Sequence, residues 1–131
     1  MQFSRRGLAQ TFAITPNDRT IAGYFSLSAG SIEFSDLDDV TRSGKPRLAI
    51  PSVLLARLAV DKSFQGQGLG HRLTGEAIRK VLDLSEEVGI ALLVVDALHP
   101  RAAEFYFRYG FTPTPENPLR LTVPLRTLRK R

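Results

Sequence analysis

The sequence has 131 residues, enough for one domain with a modest core. It holds no cysteine, which excludes a disulfide framework, a thiolate nucleophile and a cysteine-based metal site. Its net charge of +5 and pI of about 10.1 point to an acidic partner: nucleic acid, a membrane surface or a phosphorylated ligand.

Residues 1–131 read as a single domain, with no internal repeat or linker. No apolar run approaches a membrane span, and Met1-Gln2-Phe3-Ser4-Arg5-Arg6 lacks the apolar stretch of a signal peptide, so a cytoplasmic location is expected. Residues 10–14 are short and β-prone. A turn at Pro16-Asn17-Asp18 and a second strand over residues 20–29 complete a predicted hairpin. Residues 30–51 are poorly periodic and read as a long connection with one helical turn. Residues 52–60 are apolar almost throughout, which predicts a strand buried on both faces.

Gln65-Gly66-Gln67-Gly68-Leu69-Gly70 follows that strand directly. Leu69, Leu73, Ala77, Val81, Leu84 and Val88 then recur every three or four residues, which predicts an amphipathic helix ending near Gly89. A strand over residues 90–95 comes next. A helix over residues 100–109 has proline in its first turn and Gly110 past its end. A strand begins at Phe111, and residues 119–125 form the last one. Helices and strands alternate only in the middle, so the fold class is α/β of the α+β kind, a mixed, mainly antiparallel sheet with helices packed on it.

The glycine segment lies between a buried strand and a helix. Unpaired N–H groups and the helix dipole favour an anion there, and glycines let the backbone come close to it. A Walker A loop needs Gly-Lys-Ser/Thr, but Gly70 is followed by His71-Arg72. A dinucleotide fingerprint needs a glycine where His71 stands. A glycine-rich turn without a ligand is the plain alternative.

Gln65-x-x-Gly68-x-Gly70 resembles the coenzyme A-binding signature of the GNAT superfamily of N-acetyltransferases, Arg/Gln-x-x-Gly-x-Gly/Ala. Phe105-Tyr106-Phe107-Arg108-Tyr109-Gly110-Phe111 is similar to that family's Phe-Tyr-x-x-x-Gly-Phe segment. The segments Tyr24-Phe25-Ser26-Leu27-Ser28-Ala29-Gly30 and Leu54-Leu55-Ala56-Arg57-Leu58-Ala59-Val60-Asp61 narrow the resemblance to the toxins of bacterial toxin–antitoxin pairs, which acetylate the α-amino group of aminoacyl-tRNA and block translation. The resemblance implies a further strand and helix ahead of Arg5-Arg6-Gly7-Leu8-Ala9, and these are expected to be missing here.

The resemblance implies a sheet splayed at its central strand, with acetyl-CoA as co-substrate in the gap and no metal. Backbone groups of Leu58, Ala59 and Val60 would pair with the pantetheine arm. The N–H groups of Gln65, Gly66, Gln67, Gly68, Leu69, Gly70 and His71 would hold the pyrophosphate. Tyr106 would be the general acid toward the departing sulfur, with Tyr109, three residues on and on the same helix face, as runner-up. The plain alternative for Tyr106 is a packed aromatic. Implied partners are aminoacyl-tRNA, a ribbon-helix-helix antitoxin and a second copy of the chain.

The strand over residues 52–60 carries no carboxylate, only Arg57. A lysine ammonium, pKa ~10.4, would need a base, whereas an α-amine, pKa ~7.7–8.0, is already partly neutral. An α-amine acceptor therefore suits this strand better. Arg57 either faces the acceptor or forms a structural ion pair. Arg5, Arg6, Arg42, Lys45, Arg47 and the terminal group Arg126, Arg129, Lys130 and Arg131 are candidate phosphate contacts. His71 and His99 are positional rather than ligating. The other readings are an acetyltransferase for a small amine or a protein N-terminus, and a non-catalytic coenzyme A-binding chain.

Overall fold

A computed structural model describes residues 9–17, 19–42, 44 and 48–130, together with the backbone of residues 2–5; the side chain of Val40 is not described. One seven-stranded sheet carries the structure, with strand order β1-β2-β3-β4-β5-β7-β6. The strands are β1 (Gln2–Arg5), β2 (Gln10–Ile14), β3 (Gly23–Glu33), β4 (Ala49–Val60), β5 (Leu92–Asp96), β6 (Thr112–Pro113) and β7 (Arg120–Pro124). The helices are α1 (Asp39–Arg42), α2 (Leu69–Leu84), α3 (Pro100–Phe107) and α4 (Leu125–Arg129). β4 and β5 are parallel, joined through α2, and every other pairing is antiparallel. β1, which the sequence reading did not anticipate, lies along β2.

The hairpin forms as expected, but its second strand starts at Gly23 rather than at residue 20. Asn17 Oδ1 accepts from the Arg19 amide at 2.9 Å, and Ala22 N donates to Ile14 O at 2.9 Å, so residues 20–22 belong to the turn. β3 also runs on to Glu33, paired with Ala49. The predicted long connection therefore shrinks to residues 34–48. It holds a 3₁₀ turn (Phe34–Asp36) and α1, whose start is capped by Asp38 accepting from Thr41 N at 2.6 Å.

α2 buries Leu73, Thr74, Ala77 and Val81. It stops at Leu84, four residues before the apolar period does. Ser85 Oγ donates to Leu82 O at 2.6 Å and accepts from Arg129 Nη2 at 2.7 Å, which locks the end, and Leu84 and Val88 are exposed. The last strand is shorter than predicted, because the chain leaves it at Pro124 and forms α4, where Leu125 and Leu128 are buried one turn apart. Leu93 and Val95 of β5 join a core with Phe25, Leu55, Leu73, Tyr106 and Leu121, while Leu92 and Val94 join a second cluster with Ile32, Leu37 and Ile50 on the other face.

Candidate active site

β4 and β5 pair only from Ser52↔Leu92 to Leu55↔Val95. Beyond Leu55 the two strands part. On the other side β4 stays on β3, but the register shifts there: Leu27 faces Leu55, and Ser26 faces Arg57. Ala56 is the extra residue, a bulge that turns the strand away from β5. The expectation of a strand buried on both faces is thus wrong for this half, where Ala56 and Arg57 are exposed. The gap is a cleft of about 410 Å³, lined by residues that include Tyr24, Arg57, Leu58, Ala59, Asp96, Leu98 and Tyr106. A larger hollow of about 760 Å³, between Phe12, Leu27, Lys80 and Leu84, does not reach Tyr106. The smaller one is the reactive candidate because chemistry, not volume, converges there.

Alternation decides which amides of β4 face the cleft. Asp61 N donates to Ala22 O at 2.8 Å, so the amides of Asp61, Ala59 and Arg57 are directed at β3. Leu58 and Val60 turn theirs outward, and Val60 O accepts from Gln65 Nε2 at 3.2 Å. Of the three residues expected to pair with a pantetheine arm, Leu58 and Val60 keep that possibility. Ala59 loses it, because its amide is committed to Tyr24.

The turn after β4 is built by Asp61, whose carboxylate accepts from Ser63 N at 3.0 Å, and by Phe64 N donating to Asp61 O at 2.9 Å. Gly66 (φ 82°) and Gly68 (φ 77°) adopt left-handed backbone, and a Cβ on either would meet nothing within 4 Å. The first helical bond of α2 is Arg72 N to Gly68 O at 3.1 Å. The N–H groups from Gly66 to His71 therefore have no acceptor among the described residues, and the first turn holds no acidic residue. Six such donors, next to open space at Gly66 and Gly68, suit a pyrophosphate. Gln65 is different, since its amide N–H reaches Lys62 O at 3.4 Å and its side chain braces the loop.

Tyr106 is buried, packed edge-on to Phe105 and Phe111, and lines the cleft. Its hydroxyl has no partner among the described residues. Burial, with a lesser contribution from Tyr109, pushes its pKa up to about 12. A value near 10 therefore understates how firmly it holds its proton. Tyr109 lies in the turn after Phe107, beyond the end of α3, and its hydroxyl is 2.6 Å from His71 Nδ1. His71 also packs on Phe105 at 4.8 Å, and Arg108 Nη1 lies 3.4 Å from its Nε2. His99 Nδ1 caps α3 by accepting from Ala102 N at 3.2 Å.

Arg57 lines the cleft and makes no ion pair among the described residues. Arg42 is not an open phosphate contact: it donates to Phe34 O and Ser35 O, and pairs with Asp39. Arg129 is tied to Ser85. Arg6, Lys45, Arg47, Arg131 and the side chain of Arg5 lie outside the described residues. Sequence reasoning missed Tyr24, Leu98 and Asp96. Asp96 ends β5 and receives Arg120 through both oxygens at 2.7 Å. That hydrogen bonding raises the Arg120 pKa, with Asp36 adding to it. A carboxylate closing the strand next to the gap was the available signal.

The family described as Acetyltransferase (GNAT) domain matches residues 10–113. A tRNA-acetylating toxin of Mycobacterium tuberculosis is 34% identical over 116 residues, covering 88% of this chain and 69% of that protein. A structure of AtaT complexed with acetyl-methionyl-tRNAfMet is similar, with a TM-score of 0.83 and 34% identity over 94% of this chain and 75% of that one. So is a mutant AtaT toxin bound to the C-terminus of the antitoxin AtaR and acetyl-CoA, with a TM-score of 0.75 and 34% identity over 93% of this chain and 70% of that one.

Proposed function

The chain belongs to the GNAT acetyltransferase family, and from that premise we propose that it is a toxin that acetylates the α-amino group of aminoacyl-tRNA and so blocks translation. The observation that carries the reading is the pairing of six open N–H groups, Gly66 to His71, with the outward-facing amides of Leu58 and Val60, Leu58 lining the same cleft as Tyr106. Bound there, acetyl-CoA supplies an activated acetyl group. The loop N–H groups hold its pyrophosphate, and Leu58 and Val60 extend the sheet along the pantetheine.

Tyr106 keeps its proton at every physiological pH. Full transfer to a thiolate of pKa ~8.5 is uphill from a phenol near 12, so Tyr106 acts by donating a hydrogen bond to the sulfur as negative charge builds there. Arg57 faces the acceptor and meets a phosphate of its backbone. Residues 1–131 act as one domain on one sheet. The relatives include a tRNA-acetylating toxin and a toxin bound to its antitoxin's C-terminus, and a ribbon-helix-helix antitoxin and a second copy of the chain are the protein partners of this reading. Its substrates place it in the cytoplasm. Among the described residues no helix is long and apolar enough to cross a membrane.

The test is transfer of labelled acetyl from acetyl-CoA to charged tRNA, with uncharged tRNA as control. Label should appear only on charged tRNA and be lost with Tyr106→Phe. Label on small amines or peptide N-termini alone would move the protein to that acceptor class. Tight acetyl-CoA binding with no transfer to any amine would mark it as non-catalytic.

A further inference from the structure

An amine acceptor near neutral pH arrives largely as an ammonium. Something must draw it in and aim its nitrogen at the thioester. β4 carries no carboxylate for this. The register supplies one from the neighbouring strand. Val95 is the last β5 residue paired with β4, and its side chain joins the core cluster that contains Tyr106. Asp96 is the next residue, so its side chain projects from the opposite face of the sheet, just where the strands part.

The same alternation puts Tyr24 and Arg57 on that opposite face, since each pairs beside the core residues Phe25 and Leu58. The cleft thus has two sides. Tyr106 stands on the side covered by α3, and Tyr24, Arg57 and Asp96 stand on the other. Among the described residues lining it, Asp96 is the only carboxylate and Arg57 the only cation.

Asp96 is held in place without being used up. Arg120 Nε and Nη2 each donate to one carboxylate oxygen at 2.7 Å, which fixes the plane of the group. A carboxylate has about four lone-pair sites, so each oxygen retains one. The side chain is 46% exposed and can accept a further donor. An ion pair this open contributes little to stability. Its consequence is orientation.

We infer that the Asp96 carboxylate, clamped by Arg120 on the open face of the cleft, binds the amine of the acceptor, a protonated primary amine next to an acyl ester. This rests on the acetyltransferase reading above. The acceptor nitrogen loses one proton to solvent and forms its bond to the acetyl carbon; the carbon–sulfur bond breaks, and the second proton released by the nitrogen ends on the departing sulfur, which leaves as the coenzyme A thiol. Asp96 accepts N–H bonds throughout and ends the cycle ionised.

The test uses the full chain and two probes: an adenosine carrying a stable 3′-aminoacylamide, and its counterpart lacking the α-amine. Wild type should bind the amine-bearing probe about tenfold or more tightly, as expected for a charge-assisted hydrogen bond. Asp96→Asn keeps the shape, and its single amide oxygen still accepts one of the two Arg120 bonds. It should bring the preference to about twofold or less while leaving acetyl-CoA affinity unchanged. If that variant does not fold, the double variant Asp96→Leu/Arg120→Leu, which strands no charge, gives the same reading. A preference retained in the variant, or absent from an active wild type, overturns the assignment of Asp96 alone. A wild type that transfers acetyl to no amine overturns the acetyltransferase reading first.

Discussion

The hydroxyl of Tyr109 lies 2.6 Å from Nδ1 of His71, which ties the turn after α3 to the first turn of α2. Tyr106 makes no such bond and lines the cleft. The two tyrosines should therefore fail differently. Tyr106→Phe should lower kcat roughly 100-fold or more and leave acetyl-CoA affinity nearly unchanged. Tyr109→Phe should change kcat by less than about threefold. It should weaken acetyl-CoA binding by up to about tenfold, the loss of one ordinary hydrogen bond. Steady-state kinetics with both substrates varied separates the cases, and equal kcat losses would remove Tyr106 from its role.

The loop glycines should also differ. Gly68 has φ 77°, and alanine there should cost about 1–2 kcal/mol of stability. Its methyl would enter the open space before the loop, so acetyl-CoA affinity should fall about tenfold or more. Gly70 has no such φ, and a Cβ would sit 3.6 Å from Phe105, an ordinary contact. Gly70→Ala should be neutral or stabilise by up to about 1 kcal/mol through helix propensity. Denaturant melts and acetyl-CoA titrations of both variants check this pair.

The donor half of the site is readable in the sequence because it is local. Gln65, Gly68 and Gly70 share one turn, and Phe105-Tyr106 share one helix. The acceptor half is not local. Nothing in an apolar run marks Ala56 as an extra residue, because a bulge is defined by its partner strand. Asp96 gains meaning only from the register that ends β4–β5 pairing at Val95. The same limit explains two errors of extent. Leu84 and Val88 continue the helical period, but Ser85 has already ended the helix through its own hydrogen bonds. Residues around Pro124 look strand-like in composition, yet Leu125 and Leu128 find their burial as one helical turn.

Gly23 is the point where β3 meets both α2 and the splayed half of β4. A Cβ there would lie 2.8 Å from Leu73 Cδ1 and 3.0 Å from the carbonyl of Ala59. Leu73 can rotate only into a filled core, and the Ala59 carbonyl is backbone. Gly23→Ala should therefore destabilise by about 1–3 kcal/mol. Because β4 must give way next to Leu58 and Val60, acetyl-CoA affinity should drop even under conditions where the variant is fully folded. Calorimetric binding at low temperature, beside a denaturant melt, tests both parts. An unchanged melt would mean that the contact relaxes without cost.

The burial of Tyr106 predicts an alkaline limit to stability. Its pKa rises from about 10 in the unfolded chain to about 12 in the fold. Below pH 10 the phenol is neutral in both states and contributes no pH dependence. Between pH 10 and 12 the unfolded chain loses the proton while the folded chain keeps it, so unfolding gains the free energy of ionisation. Two units correspond to roughly 2–3 kcal/mol lost across this window, at most. Tyr106→Phe removes the titrating group, and its stability should fall less steeply over the same interval. Denaturant midpoints measured from pH 9 to 12 for wild type and variant should diverge only above about pH 10. Parallel curves would show that the hydroxyl can ionise in place, and that the cleft is wetter than its lining implies.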